Sequence, residues 1–224
     1  VRQIENTPTT GGDKPSKAVV ITNCGQLTGD ESDGDQSAPD STGDTYEDYP
    51  EDAKTGDQEF PAAEVLKIAG EVKEFGNKAY KAGNVVLGLE KYQKGLRYLN
   101  EDPELKDESE ETKKALKALR FTLNSNIALL SNQLKHHEDA LRHASYALDV
   151  SDVSSVDRAK ALYRRAIAEI GLKDEDAALK DLEEANRLVP GDGKVVSELA
   201  KVKKVIADRI AKEKKAYSKF FTSD

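Results

Sequence analysis

The sequence contains no methionine and no tryptophan, a single cysteine, and only 6% aromatic residues among 224 positions. Without a second cysteine, Cys24 forms no internal disulfide, so a reducing compartment is allowed. No apolar run approaches the ~20 residues that a membrane-spanning helix requires, and no secretory leader pattern is visible. A chain that opens on Val1 and lacks an initiator methionine reads as a fragment or a processed product. A glycine-rich phosphate loop is missing as well. What is plentiful is charge, with 34% charged residues against 37% hydrophobic ones. That composition belongs to a soluble chain with room for one large domain, or one domain and its tails.

The net charge of -8 is unevenly placed. Residues 28–57 hold eleven Asp or Glu and one Lys, a balance of -10, which leaves about +2 for the other 194 residues. This segment, TGDESDGDQSAPDSTGDTYEDYPEDAKTGD, offers little to bury. It is expected to be an extended, self-repelling, disordered acidic linker over 28–59. The near-neutral remainder gives no electrostatic footprint for nucleic acid. Ahead of the linker, residues 1–27 contain the short β-branched run Ala18–Thr22, which reads as a lone β-strand. Cys24 beside it has no evident activating base.

From Phe60 to Pro190 the pattern is helical. Small residues recur as Gly76, Gly88 and Gly95, then Ala128, Ala140 and Ala147, then Ala166, Ala178 and Ala185. The steps within each triplet are 12 and 7, and the triplets are offset by 52 and 38. Helix pairs repeating every ~34 residues produce this register when extra residues lengthen the junctions. The first insertion, NEDPELKDESEETKK, is polar and is expected to extend a helix or loop without touching the core. Small residues suit these places because two helices cross closely only where side chains are small. Tyr92 and Leu182 fill the space beside the crossings, with Ala144 at the middle position, and Pro190 stops the third pair.

Residues 191–224 form one more helix. Val195, Leu199, Val202, Ile206 and Ile210 make an apolar stripe suited to covering the open end of the last repeat. The helix is basic, with nine Lys or Arg against three acidic residues over 193–221. Capping is the reading adopted; the basic amphipathic character leaves calmodulin as a further partner for its far end, Lys212 to Phe221.

Stacked helix pairs create a concave groove lined by the first helix of each pair. In VKEFGNKAY, Lys73 and Asn77 lie four apart and so on one side of a helix. In FTLNSNIALL, Asn126 stands two residues before Ala128; in AKALYRRAIA, Arg164 stands two before Ala166, with Lys160 a turn earlier. Asn126 and Arg164 are therefore repeat equivalents. Two lysines, one arginine and two asparagines converging from three helices suit an extended peptide that ends in carboxylates. Tyr80, Phe121 and Arg165 are candidates for secondary contacts. The histidines, His136, His137 and His143, cluster near a repeat junction without the further ligands a metal needs, so no metal or cofactor is expected.

The stretches GNKAYKAGN, YRRAIAEIGL and ALKDLEEANRLVP resemble tetratricopeptide repeats over about 68–190, which implies an all-α fold of three helix pairs plus a capping helix. The polar set Lys73, Asn77, Asn126, Lys160 and Arg164 resembles the dicarboxylate clamp of tetratricopeptide co-chaperones. Those proteins take the C-terminal Glu-Glu-Val-Asp tail of heat-shock protein 90, and some take the heat-shock protein 70 tail. The segment VRQIENTPTTGGDKPSKAVVITNCGQL looks like the end of a cyclophilin domain. Together, a cyclophilin tail (1–27), acidic linker (28–59), repeat domain (60–190) and basic helix (191–224) resemble the cyclophilin-40 class of immunophilin co-chaperones. The resemblance implies a cytoplasmic location and a peptidyl-prolyl isomerase parent whose catalytic residues would lie upstream of Val1. The chain is thus expected to be a peptide-binding adaptor and not itself an enzyme. The alternative is an isomerase whose repeats serve only as scaffold or autoinhibitory element, with the acidic linker folded into the groove.

Overall fold

The computed structural model describes residues 7–10, 14–20, 40–53, 60–101, 103 and 105–221. The chain forms two units, residues 1–36 and 37–224. In the first, β1 (Thr9–Thr10) pairs antiparallel with β2 (Lys14–Pro15), Thr9 opposite Pro15 and Thr10 opposite Lys14. The strand expected at Ala18–Thr22 is not found there: Ala18 to Val20 are irregular, with Val20 70% exposed, and Ile21 and Thr22 lie outside the described residues. A β-branched run is stable as a strand only where a sheet edge receives it.

The second unit is all-α. A short helix α1 (Pro50–Ala53) precedes α2 (Ala62–Lys81) and α3 (Val85–Leu99), then α4 (Glu110–Gln133) and α5 (His137–Leu148), α6 (Ser155–Gly171) and α7 (Glu175–Leu188), and finally α8 (Gly193–Phe221). Each of the pairs α2/α3, α4/α5 and α6/α7 packs as a hairpin, and each hairpin packs on the next. The repeat is visible in the backbone. The hairpin turns place Gly83, Lys135 and Lys173 at φ of 85°, 62° and 70°. At each turn the next residue's N–H closes back on a carbonyl five residues earlier: Asn84 to Ala79, His136 to Ser131, Asp174 to Glu169. This is the left-handed closure that satisfies a helix's last carbonyls. Asn84 and Asp174 then cap the following helix, accepting from the amides of Leu87 and Ala177.

The small residues sit where the helices cross. A Cβ on Gly76 would stand 2.6 Å from the Tyr92 ring, one on Gly88 3.2 Å from Leu130, and one on Gly95 3.3 Å from Leu123. The six alanines of the other two triplets are fully buried. One core cluster centres on Val65, Val72, Tyr98, Leu123, Ile127 and Leu130. A second joins Leu162 and Leu182 to Val195 and Val202 of α8, with Leu199 and Ile206 packed alongside. The apolar stripe of the terminal helix therefore covers the last repeat as far as Ile206, Arg209 pairs beyond it with Glu175 and Asp176 of α7, and Ile210 is 43% exposed. The polar insertion departs from expectation. Its loop buries Pro103 and packs Leu105 against the first core, since two apolar side chains stand among its polar ones.

The acidic segment departs further. Residues 28–39 and 54–59 lie outside the described ones, but 40–53 form an ordered strap on the first hairpin. Asp44 is buried, with Oδ2 2.6 Å from Lys91 Nζ and 2.8 Å from Lys94 Nζ. Asp40 adds a second carboxylate 2.6 Å from Lys91. Backbone carbonyls of the strap accept from α2 and α3: Thr42 from Lys78 at 2.8 Å, Asp48 from Arg97 at 2.8 Å and Glu47 from the Tyr98 hydroxyl at 2.9 Å. Tyr46 packs on the first core and donates its hydroxyl to Glu71 at 2.6 Å, while the Arg97 guanidinium lies 4.7 Å over the Tyr49 ring. The composition forecast an unfolded tether. What overrides it is a row of α3 cations: Lys91 and Lys94 meet the carboxylates of Asp40, Asp44 and Asp48, and Arg97 meets the Asp48 backbone carbonyl and the Tyr49 ring. The hydrogen bonds and ion pairs that tie the strap to the hairpin go to Lys91, Lys94, Arg97 and Tyr98 of α3 and to Glu71 and Lys78 of α2, none of which is a groove candidate.

Candidate functional site

The first helices of the hairpins, α2, α4 and α6, pack side by side. They carry all five groove candidates: Lys73 and Asn77 on α2, Asn126 on α4, Lys160 and Arg164 on α6.

Asn77 is oriented from beneath. Tyr92, buried on α3, donates its hydroxyl to Asn77 Oδ1 at 2.7 Å. With its carbonyl so used, the amide of Asn77 donates to Glu74 Oε2 at 2.9 Å. Burial, reinforced by the fields of Glu74 and Tyr80 and opposed by Arg164, pushes the Tyr92 hydroxyl up to about 12, so it remains a donor.

Lys73 is a quarter exposed and pairs with Glu74 Oε1 at 2.8 Å. The Lys73 ammonium, then the Asn77 amide, hold the Glu74 carboxyl below its usual range. Lys160, largely exposed, pairs with Asp157 at 3.0 Å, and that bond with the Ser154 hydroxyl holds the Asp157 carboxyl low. Arg164 donates to the Ser125 hydroxyl of α4, and its backbone carbonyl accepts from Asn132 Nδ2 at 2.8 Å. Burial lowers its pKa, but a guanidinium stays charged at neutral pH. Among the described residues no carboxylate forms an ion pair with Arg164. Asn126 is half-buried on the same face. The arrangement places one guanidinium without a carboxylate ion pair among the described residues, two lysines and two side-chain amides on three neighbouring helices, all groups able to donate hydrogen bonds.

The secondary candidates separate. Tyr80 is 36% exposed and its hydroxyl accepts from Gln133 Nε2 at 3.0 Å, joining α2 to α4 at the groove edge. Phe121 is instead buried with Ala147 and Ala161, so its ring packs the interior. Arg165 turns away to α7, where Nε and Nη2 meet both oxygens of Asp181 at 2.6 and 2.8 Å. Residue type at helical spacing does not reveal which of two adjacent arginines turns toward α4 and which toward α7. Sequence reasoning missed Glu74, Tyr92, Ser125 and Gln133. For Tyr92 a signal existed: it is the polar-tipped member among Tyr92, Ala144 and Leu182.

Two of the three histidines face interior neighbours, while His136 is exposed. His143 Nδ1 lies 2.9 Å from Asn124 Oδ1, and burial lowers its pKa. The His137 ring fills the space where a Cβ on Gly171 would stand, 2.4 Å away. Among the described residues no group of three or more His, Cys, Asp or Glu could hold a metal, and no helix is long and apolar enough to cross a membrane. Cys24 lies outside the described residues.

Three consecutive helical hairpins with a shared turn geometry and a capping helix define a tetratricopeptide-repeat domain. The fold matches the C-terminal TPR-containing domain of a Plasmodium falciparum protein described as FK506-binding, with a TM-score of 0.62 and 22% identity over 68% of this chain and 97% of that one. It also matches the Hsp90 co-chaperone Cns1 from Saccharomyces cerevisiae, with a TM-score of 0.55 and 25% identity over 70% of this chain and 45% of that one. No protein-family model matches the chain. In sequence the chain is similar to the peptidyl-prolyl cis-trans isomerase D of Cryptococcus neoformans. The two are 40% identical over 233 residues, covering 99% of this chain and 61% of the relative. The chain thus spans about three fifths of the length of that relative.

Proposed function

We propose that the groove captures the acidic C-terminal tail of heat-shock protein 90, ending Glu-Glu-Val-Asp, through a carboxylate clamp of Lys73, Asn77, Asn126, Lys160 and Arg164. The carrying observation is an Arg164 guanidinium that forms no carboxylate ion pair among the described residues, on the same row of helices as two lysines and an Asn77 whose carbonyl is held by the Tyr92 hydroxyl. The clamp is a set of charge-assisted donors, and such bonds contribute most where the acceptor is a free terminal carboxylate. The co-chaperone role named for the yeast structural neighbour supports the same partner. The heat-shock protein 70 tail ends alike and is a second ligand of the same groove. Calmodulin is assigned to the exposed basic end of α8, where Ile210 and Tyr217 are open. Isomerase activity is assigned to the part of the relatives that the chain does not span, and the adaptor role implies a cytoplasmic site of action.

Calorimetric titration with a peptide ending Glu-Glu-Val-Asp, beside its C-terminally amidated form, tests the reading. Binding in the micromolar range that amidation abolishes is the expected result. Lys73→Ala and Arg164→Ala each lose at least ~1.5 kcal/mol of that binding. Equal affinity for the free and amidated peptides, or for both variants and the parent, rejects the clamp. A proline-isomerisation assay on the same chain returns the uncatalysed rate.

A further inference from the structure

Glu74 stands two residues before Gly76, as Asn126 stands two before Ala128 and Arg164 two before Ala166. It therefore occupies, in the first repeat, the position from which the other two repeats supply clamp donors. In place of a donor, the first repeat puts a carboxylate there. Its two oxygens are divided between two clamp groups: Oε1 lies 2.8 Å from Lys73 Nζ, and Oε2 accepts from Asn77 Nδ2 at 2.9 Å. A ligand carboxylate arriving at this end of the groove would seek the same two donors.

We infer that Glu74 is an internal lock, a built-in carboxylate that holds Lys73 and Asn77 until the ligand's carboxylate displaces it. The inference rests on the clamp reading above. The lock can open cheaply. The Glu74 side chain is 63% exposed, and its carboxylate bonds to no other group among the described residues. Asp157, the partner of Lys160, differs. Its second oxygen accepts from the Ser154 hydroxyl, and its amide is bonded to that same hydroxyl as part of the α6 cap, so it is tied to the helix start. The fixed side of the exchange is Asn77, whose carbonyl stays on the buried Tyr92 hydroxyl whichever carboxylate its amide meets. The lock also selects. A ligand with a single weakly placed acceptor gains too little to replace two existing bonds, whereas a carboxylate reaching both donors replaces them one for one.

The test compares the chain with Glu74→Gln and Glu74→Asp by calorimetry against the free-carboxylate Glu-Glu-Val-Asp peptide, with circular dichroism to verify that each variant is folded. Glu74→Gln removes the competing charge at equal size. Glu74→Asp keeps the charge and shortens the reach so that both donors cannot be spanned. Exposed ion pairs set the scale, so Glu74→Gln binds roughly two- to fivefold tighter than the parent, with Glu74→Asp between them. If Glu74→Gln binds equally or more weakly while the parent binds, the lock is refuted and the clamp stands. If Glu74→Asp matches the parent, the gain in Glu74→Gln comes from the general field of the groove, and the lock is again refuted. If neither parent nor variants bind, the clamp reading fails and the lock falls with it.

Discussion

Replacing Asp44 with asparagine should unfasten the acidic strap and cost the repeat domain much of its stability. The side chain of Asp44 is fully buried and shares one oxygen between Lys91 and Lys94, while its other oxygen accepts from the Tyr46 amide at 3.0 Å. Asp44→Asn keeps the shape and removes the charge that balances a Lys94 side chain only 3% exposed. Breaking a buried ion pair from one side typically costs about 3–5 kcal/mol, since the remaining charge is left without its counterion. Lys91 retains Asp40 at 2.6 Å and Lys94 retains Asp48 at 3.4 Å, so the lower end applies, about 3 kcal/mol. With a urea m-value of about 2 kcal/mol per molar, the midpoint should fall by roughly 1.5 M. High salt should change this loss little, because buried pairs are weakly screened. The pH dependence has a definite sign. Burial alone would raise the Asp44 carboxyl, but the bonds from Lys91, Lys94 and the Tyr46 amide bring it below its usual value. The stabilisation is therefore complete above the unfolded carboxylate range and is lost as pH falls through the depressed folded value. A midpoint shift under about 0.3 M would refute the reasoning, since it would put the strap's worth in the range of a surface ion pair.

Other perturbations reach different parts of the domain. Gly76→Ala drives a methyl to within 2.6 Å of the Tyr92 ring, an overpacking expected to cost about 1–3 kcal/mol in chemical denaturation and to disturb Asn77 through Tyr92. Tyr92→Phe removes the hydroxyl that orients Asn77 and should weaken Glu-Glu-Val-Asp peptide binding by about 1 kcal/mol in calorimetry, with the fold retained. Burial, with Asp181 nearby, pushes Glu169 up to about 7, and its Oε2 has no hydrogen-bond partner among the described residues. A carboxyl raised in the fold binds its proton more tightly folded than unfolded. Stability should then decline as pH climbs from about 4.5 to about 7, and Glu169→Gln should flatten that slope in thermal melts across the window.

The fold was legible in the sequence because a solenoid repeats its constraint. Each close crossing excludes a bulky side chain, so Gly76, Ala128 and Ala166 and their partners mark the register with no knowledge of their neighbours. Of the groove candidates, Asn126 and Arg164 are linked by the repeat offset, whereas Lys73 with Asn77 and Lys160 with Arg164 are picked out by their four-residue spacing within one helix.

What only the tertiary structure decided concerns partners distant in sequence. The strap reads as linker because its composition offers nothing to bury. Its ordering depends on Lys91 and Lys94, 47 and 50 residues away from Asp44. Composition is blind to a match between two charge rows that the chain must fold to bring together. Arg164 and Arg165 are adjacent and chemically identical, yet one meets Ser125 and the other Asp181, a choice made by how α6 is rotated between α4 and α7. Local sequence sets which residues share a face and which crossings are tight. The packed neighbours set which of those residues are spent inside the domain and which are left for a ligand.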